Sequence, residues 1–185
     1  MNIFVLDESP LHAARMVCDS HTVKMPVEGV QMLVQALLTN GAPHNKMPLT
    51  KKHNKPHRGG YPAHPCTLWA GASAGNWVWL YLHTRELCKE YTKRYGKTHF
   101  AEGQLAQLRD NLDWGRYFKK TQRTPFVRAI NQSQNRNLDL LSEDITAVSA
   151  YRNFYVREKA RFAKWEKGTE PPKWWPIPDC KEASK

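Results

Sequence analysis

Residues 67–95 carry the pattern that most constrains the fold of this chain. Their apolar and aromatic side chains recur three or four residues apart, or at sums of these steps, and Gly96 follows as a stop signal. The members of this stripe are Trp69, Trp77, Leu80, Leu87 and Tyr91. Because a helix repeats every 3.6 residues, such spacing places the side chains on one buried face. We therefore predict that this stretch is the central core helix.

The first forty residues predict two more helices after a short extended segment. Asn2–Leu6 is an apolar run that is too short for a helix. Pro10 is suited to the first turn of a helix of about ten residues, with Ser9 as its N-cap. Pro26 is expected to open or kink a second helix that ends at residues 40–41, where asparagine and glycine are typical of a C-terminus.

The rest of the chain predicts two helices and three irregular segments. Helices are expected at 103–111 and at 144–165, the second with an apolar stripe along one face. Residues 42–63 are rich in proline, glycine, histidine and lysine and predict a basic mobile loop, while 113–134 is mostly loop. Residues 168–185 predict an aromatic C-terminal tail. The whole chain of 185 residues is thus expected to form a single, mainly α, compact helical domain.

Charge indicates the kind of partner. Lysine and arginine outnumber acidic residues by 28 to 17, which gives a formal net charge of +11. Such an excess attracts polyanions, because cationic side chains release counterions from phosphates. Double-stranded DNA or a nucleotide is therefore the first partner to consider, although many basic proteins bind no nucleic acid.

The sequence gives little support for secretion, for membrane insertion or for a bound cofactor. There is no apolar run of about 18 residues and no signal peptide, so we expect a cytoplasmic monomer that does not enter a membrane. The four cysteines are far apart and are expected to be free thiols: Cys18, Cys66, Cys88 and Cys180. Cys18 with His21, and His64 with Cys66, lack the repeated spacing of zinc ligands, so we expect no metal and no cofactor.

A polar stripe on the second predicted helix is the strongest chemical candidate. His21, Lys24 and Glu28 lie on one helical face, and Gln31 and Gln35 continue it. A carboxylate beside a cation and an imidazole is suited to activating water or moving protons at a sugar carbon. The alternative is an exposed amphipathic face with one surface ion pair.

A second candidate site includes His64, Trp69 and Asn76. The indole of Trp69 could stack on a nucleobase and the Asn76 amide could hydrogen-bond its edge, as enzymes that act on extruded bases require. Alternatively, Trp69 and Trp77 belong to the core and Asn76 braces a neighbouring segment.

The last predicted helix and its tail interleave basic and aromatic residues, which suits phosphate contacts and base stacking. Arg152 and Lys159 are two turns apart, close to the apolar stripe, where a cation needs an anionic partner. The tail contributes Trp165, Trp174 and Trp175. The alternative is a solvated basic face, with the paired tryptophans closing the end of the core.

Several motifs resemble a group of small phage-encoded proteins and, in order and spacing, the pyrimidine-dimer DNA glycosylase of T-even phages. The motifs are CDSHTVKM at 18–25, HPC at 64–66, EYTKRYGK at 90–97, AYRNFY at 150–155 and PPKWW at 171–175. The likeness to the phage group covers nearly the whole chain, and the likeness to the glycosylase is architectural. It implies a compact α-helical fold and, for a phage-encoded protein, the host cytoplasm.

The resemblance also implies a chemistry. A nucleotide is flipped out, the N-terminal amine attacks the glycosidic carbon, and a glutamate, here Glu28, stabilises the sugar intermediate. The resemblance also implies that Arg152 and Lys159 contact phosphates and that the three tail tryptophans recognise the lesion. One departure is Asn2, because a residue of that size favours retention of Met1.

Three outcomes follow for function. We expect a DNA N-glycosylase with AP-lyase activity on damaged or modified pyrimidines, with Met1 or Asn2 supplying the amine. If neither does, Lys24 forms the imine or Glu28 activates water. The alternatives are a group transferase that modifies bases in phage DNA, and a protein that binds or cleaves a free nucleotide or nucleotide signal. The enzyme interpretation requires His21, Lys24, Glu28 and the N-terminus to share one pocket facing Arg152 and Lys159.

Overall fold

Two long helices, α2 (Asp19–Thr39) and α4 (Ala74–Tyr95), pack against each other at the centre of the protein in a computed structural model that describes residues 1–176. Large apolar side chains of both helices are buried in the core, among them Leu33 of α2 and Trp77 and Leu87 of α4. The central core helix predicted from the apolar stripe thus contributes α4.

Four shorter helices surround this pair. They are α1 (Pro10–Met16), α3 (Pro65–Ala72), α5 (Phe100–Asn111) and α6 (Ala147–Lys159). Residues 1–176 contain no strand, and only Leu49 and Pro56 form an isolated bridge. The mainly α, single-domain fold predicted from the sequence is confirmed.

The stretch predicted as one helix over 67–95 is two helices. Ser73 adopts an extended conformation, with φ −158° and ψ 159°, and its side chain accepts a hydrogen bond from the Asn76 amide at the start of α4. This N-cap begins a new helix, so the apolar period continues while the backbone turns. At the other end, Gly96 closes α4 with a left-handed φ of 65°, as the stop signal predicted.

Two other predicted boundaries were wrong. Pro26 lies inside α2, which begins seven residues earlier, at Asp19. The last helix is shorter than 144–165 because Thr146 caps its start and because the chain leaves the helix after Lys159. Beyond α6, the Lys164 carbonyl accepts a hydrogen bond from the Asp19 amide at 2.9 Å. The segment after α6 thus gives a partner to a main-chain N–H at the start of α2 that has none within the helix.

The remaining segments are irregular, as predicted. Residues 42–63 contain a single 3₁₀ turn, His44–Lys46, and the mobility expected of this loop stays a prediction. Residues 113–134 are loop apart from short 3₁₀ turns. Of the predicted aromatic tail, residues 177–185 lie outside the described part of the chain, as does Cys180. Cys18, Cys66 and Cys88 are free and buried.

The N-terminal segment is buried, and it turns rather than running straight. Phe4 has a left-handed φ of 37°, and the Leu6 amide donates to the Phe4 carbonyl at 2.7 Å. Asn2 fixes this turn because its Oδ1 accepts from the amides of Ile3 and Phe4 at 2.8 and 3.1 Å. Among residues 1–176, no helix combines the length and apolar character needed to span a bilayer.

Candidate active-site pocket

A pocket of about 410 Å³ opens beside the N-terminal half of α2. Its walls come from the N-terminal segment, α2, the start of α3, the loop at 129–131 and the end of α6. Its lining includes the side chains of Met1, Phe4, His21, Lys24, Glu28, His64, Phe154 and Lys159. Three of the five candidates on the polar stripe therefore share one cavity with the chain terminus.

The Glu28 carboxylate is the only acidic group that lines this pocket in the described part of the chain, and it is 9% exposed. Its Oε1 lies 3.1 Å from the ammonium of Lys24, one helical turn away. Its Oε2 accepts a hydrogen bond from the Asn2 amide at 3.2 Å and lies 3.7 Å from the amine of Met1. One buried carboxylate thus holds the N-terminus and a lysine, which compensates its loss of hydration.

His21 is held as a neutral ring at the side of the pocket. Burial, with the nearby charges of Lys159 and Lys24, lowers the pKa of His21 to about 3. Its Nδ1 lies 2.6 Å from the Tyr155 hydroxyl, and its ring stacks on Phe4 at a centroid distance of 4.7 Å. Its Nε2 has no hydrogen-bond partner within residues 1–176 and is not fully buried, so this edge of the ring is available to a ligand.

The Tyr155 hydroxyl has three neighbours. It accepts from the Cys18 amide at 3.0 Å and also lies 3.2 Å from Cys18 Sγ. An imidazole nitrogen is a better acceptor than a thiol sulfur, so the hydroxyl proton belongs on the His21 side. That arrangement gives His21 its N–H at Nε2, facing the pocket.

His64 is a second neutral imidazole in the wall. Its Nδ1 caps α3 by accepting from the Cys66 amide at 3.2 Å. Burial and the N-terminal amine lower the pKa of His64, while Glu28 opposes them. The neighbouring Cys66 is inert as a nucleophile, because burial raises the pKa of its thiol to about 12.

Lys159 gives the pocket an unbalanced positive charge. Its Nζ lies 5.0 Å from the centre of the Phe154 ring and 5.8 Å from that of Phe4. Burial lowers the pKa of Lys159, and no carboxylate in the described residues forms a salt bridge with it. Glu28 is already shared by two cations, so an anionic ligand such as a phosphate suits Lys159.

Arg152 lies outside the pocket, in contrast to the prediction that it would face the active site. Its Nε donates to the Leu6 carbonyl at 2.8 Å, and its guanidinium stacks on Trp174 at 5.5 Å. These contacts fasten the N-terminal segment to α6.

Trp69 and Asn76 also lie outside the pocket, in the core. The Asn76 amide donates to the Trp69 carbonyl at 2.7 Å and to Thr124 Oγ1 at 2.8 Å, and its oxygen accepts from the Thr124 amide at 2.8 Å. Trp69 donates through Nε1 to the Pro125 carbonyl at 2.8 Å. Their side-chain polar groups are used to hold α3 and the 124–125 segment, so neither side chain is available to bind a base.

The tail tryptophans pack on the far side of Tyr155. Trp174 and Trp175 contact its ring edge-on at 6.3 and 6.0 Å, and Trp165 donates to the Met16 carbonyl at 3.2 Å. None of the three lines the pocket. Their positions support the alternative weighed from the sequence, in which the tail closes the end of the core.

Sequence reasoning missed Phe4, Phe154, Tyr155 and the loop at 129–131. The three aromatic residues fit apolar patterns that predict core positions. Nothing in their spacing shows that Phe4 and Phe154 line the pocket or that Tyr155 orients His21. The loop carries no pattern at all, and it reaches the pocket because Asn2 Nδ2 donates to the Ala129 carbonyl at 2.7 Å.

Comparison with known proteins identifies the family. Neither the curated proteins nor the solved structures include one that matches the chain. A family model described as pyrimidine dimer DNA glycosylase matches residues 1–102, which is more than half of the chain and includes α1 to α4. The match contains Met1, His21, Glu28 and His64, whereas Lys159 lies beyond it. This chain therefore belongs to the pyrimidine dimer DNA glycosylase family.

Proposed function

We propose that the protein is a DNA N-glycosylase with AP-lyase activity that acts on damaged or modified pyrimidines. One observation carries the proposal beyond family membership: the main-chain N-terminus and Glu28 meet inside a concave pocket. The Met1 amine is 3.7 Å from Glu28 Oε2, and the Asn2 nitrogen is 3.2 Å from the same oxygen. If Met1 is removed, the main-chain nitrogen of Asn2 becomes the α-amine.

The proposed reaction starts with attack of the α-amine on C1′ of the target nucleotide. The new N–C1′ bond replaces the glycosidic bond, whose electron pair leaves with the base. Glu28 takes the proton that the amine loses and stabilises positive charge at the sugar. Opening of the sugar ring gives an imine, and removal of a C2′ proton then breaks the C3′–O bond and cuts the strand.

His21 is suited to assisting departure of the base. A pyrimidine that leaves with the bonding electrons carries negative charge on its carbonyl oxygens, and a fixed N–H donor stabilises that charge as it develops. Tyr155 leaves the N–H of His21 at Nε2, on the pocket side. Because its pKa is about 3, His21 stays neutral at ordinary pH and acts as a hydrogen-bond donor rather than as a cation.

Lys159 and Lys24 take different roles in this proposal. Lys159, which forms no ion pair in the described residues, binds a phosphate beside the target nucleotide. Lys24 is the second amine on Glu28, but its side chain is 67% exposed, and water stabilises its charged form. Since α-amines are intrinsically weaker bases than lysine side chains, the N-terminus is the preferred nucleophile.

Borohydride trapping tests the covalent step. Duplex DNA that contains a pyrimidine dimer or a modified pyrimidine is incubated with the protein and reduced, and the adduct is mapped by mass spectrometry. We expect the adduct on the N-terminal residue, in wild type and in Lys24→Arg. Intact mass of the protein shows whether that residue is Met1 or Asn2.

Glu28→Gln is the matched variant, because it keeps the shape of the side chain and removes the charge. It should bind DNA as wild type does and release at least about 100-fold less base, in the range of general acid–base contributions. Absence of base release from a broad lesion panel would contradict the proposal. A donor-dependent gain of mass on intact DNA would instead indicate a transferase, and unchanged cellular activity of Glu28→Gln would indicate a binding protein.

A further inference from the structure

A second cleft, of about 600 Å³, lies beside a neighbouring face of α2, separate from the active-site pocket. We call it the α2–α5 cleft. It is bounded by α2, by the basic loop and by the start of α5, and the side chains that matter here are Val27, Lys51, Lys52, Tyr91 and Phe100. Neither the family match nor the proposed chemistry gives this cleft a role.

Exposed apolar side chains cluster around this cleft. Val27 is 47% exposed and Phe100 43%, both in its lining, while Val23 at 41% and Leu49 at 36% adjoin it. His99 ties the cleft to α2 by contacting the Val23 carbonyl through Nε2 at 3.1 Å. Four of the seven large hydrophobic side chains that are exposed in the described residues thus surround one cleft, which is typical of a binding surface.

The charge of the α2–α5 cleft favours an anionic partner. Among the described residues that line it there is no carboxylate. Lys51 and Lys52 are exposed and form no salt bridge within residues 1–176, and Lys51 Nζ lies 5.9 Å from the Phe100 ring centre. Burial lowers the pKa of His57 and of His99, so both stay neutral and leave the positive charge to the lysines.

The two sites are separated by one helix. Val27 lines the cleft and the next residue, Glu28, lines the active-site pocket. The ridge between them is the exposed face of α2, which carries Val23 and Lys24. A helix is about 10–12 Å wide with its side chains, which corresponds to about three nucleotide steps of 3.4 Å along a DNA strand. DNA that crosses this ridge with a nucleotide in the pocket therefore overlies the cleft.

We propose that the α2–α5 cleft binds the sugar–phosphate backbone of the same DNA duplex, a few nucleotides from the target. Phosphates contact Lys51 and Lys52, and the apolar faces of deoxyribose rings rest on Phe100 and Val27. The site contributes affinity without base specificity, since it offers charge and apolar surface to groups that every nucleotide shares. The inference rests on the proposed function only in that DNA is the substrate.

The salt dependence of DNA binding tests the phosphate contacts. Affinity for an undamaged duplex is measured over a range of salt concentrations for wild type and for the double variant Lys51→Ala/Lys52→Ala. Loss of two phosphate contacts should reduce the slope of log affinity against log salt by about 1.8, at about 0.9 per contact. The control is Lys119→Ala/Lys120→Ala, which removes the same charge from another exposed pair of neighbours. Its slope should equal that of wild type.

Phe100→Ala tests the apolar contact, with Leu68→Ala as the control because Leu68 is 58% exposed and lines neither site. Phe100→Ala should weaken duplex binding about threefold to tenfold without a change in slope, as loss of an apolar contact predicts.

Three results would overturn the proposal. They are a wild-type slope in the Lys51/Lys52 variant, an equal loss of slope in the Lys119/Lys120 control, or a loss of affinity in Phe100→Ala that is no larger than the loss in Leu68→Ala. Because the duplex is undamaged and no base is released, the outcome is independent of whether the glycosylase chemistry is correct.

Discussion

Acid should destabilise this protein through a histidine that has no part in the active site. His83 lies in α4, is 2% exposed, and stacks on Trp79 at a centroid distance of 5.0 Å. Its Nε2 is buried and has no hydrogen-bond partner among residues 1–176. Burial lowers the pKa of His83 from 6.5 to about 3, because loss of hydration disfavours the charged imidazolium.

The direction and size of the effect follow from proton binding. Below pH 6.5 the unfolded chain protonates His83 and the folded protein does not, until the pH approaches 3. The free energy of unfolding therefore decreases as the pH is lowered through this window, by about 1.4 kcal/mol per pH unit for one such group. Two units below the unfolded pKa the loss is roughly 3 kcal/mol, a large part of the 5–15 kcal/mol typical of a domain.

His83→Phe isolates this contribution, since it keeps a ring stacked on Trp79 and removes the protonation site. Urea denaturation at about pH 7.5 and about pH 4.5 should show the variant gaining roughly 3 kcal/mol relative to wild type at the lower pH. The exposed Leu68→Ala serves as the control, because it changes no titratable group, and its difference from wild type should not change with pH. A constant difference for His83→Phe as well would refute the reasoning. Wild type and His83→Phe both retain His21, which has a similarly lowered pKa and leaves some acid sensitivity in each.

Two further predictions concern the active site and the central helix pair. Tyr155→Phe removes the hydroxyl 2.6 Å from His21 Nδ1, so base release should fall about tenfold, the value of one orienting hydrogen bond, while DNA affinity in a binding assay stays unchanged. Gly29→Ala should destabilise the fold by about 1–3 kcal/mol in urea denaturation, because a β-carbon there would clash with the buried Thr84 side chain. Its control is Gly103→Ala, in a helix with open space around it, which should be neutral or stabilising.

The sequence predicted the helices better than their ends. Apolar periodicity located α2 and α4, because burial of one face determines both the pattern and the packing. It could not show that Ser73 divides the predicted central helix, since the apolar spacing continues across the break. It also left open whether Pro26 starts the second helix, where proline is most common, or kinks it, and Pro26 lies inside α2.

The candidate site was predicted where its residues lie on one helix and was incomplete elsewhere. His21, Lys24 and Glu28 share a pocket because helical spacing alone brings them together. Asn76 and Arg152 were assigned to ligand binding by residue type. In the structure the Asn76 amide is used by Trp69 and Thr124, and Arg152 lies outside the pocket with its Nε on the Leu6 carbonyl. Residue type indicates what a side chain can bind, and the partner it has in the fold determines whether that capacity remains.

Asn2 illustrates the same point at the position that matters most for the proposed chemistry. From the sequence, its size bears only on whether Met1 is removed. In the structure its amide bridges two segments, since Oδ1 accepts from Ile3 and Phe4 and Nδ2 donates to the Ala129 carbonyl at 2.7 Å. These bonds fix the backbone whose nitrogen lies 3.2 Å from Glu28, so they orient the terminus whether residue 1 is kept or lost. A smaller second residue would ease removal of Met1 and would lose this anchor, which gives asparagine a physical reason to stand there.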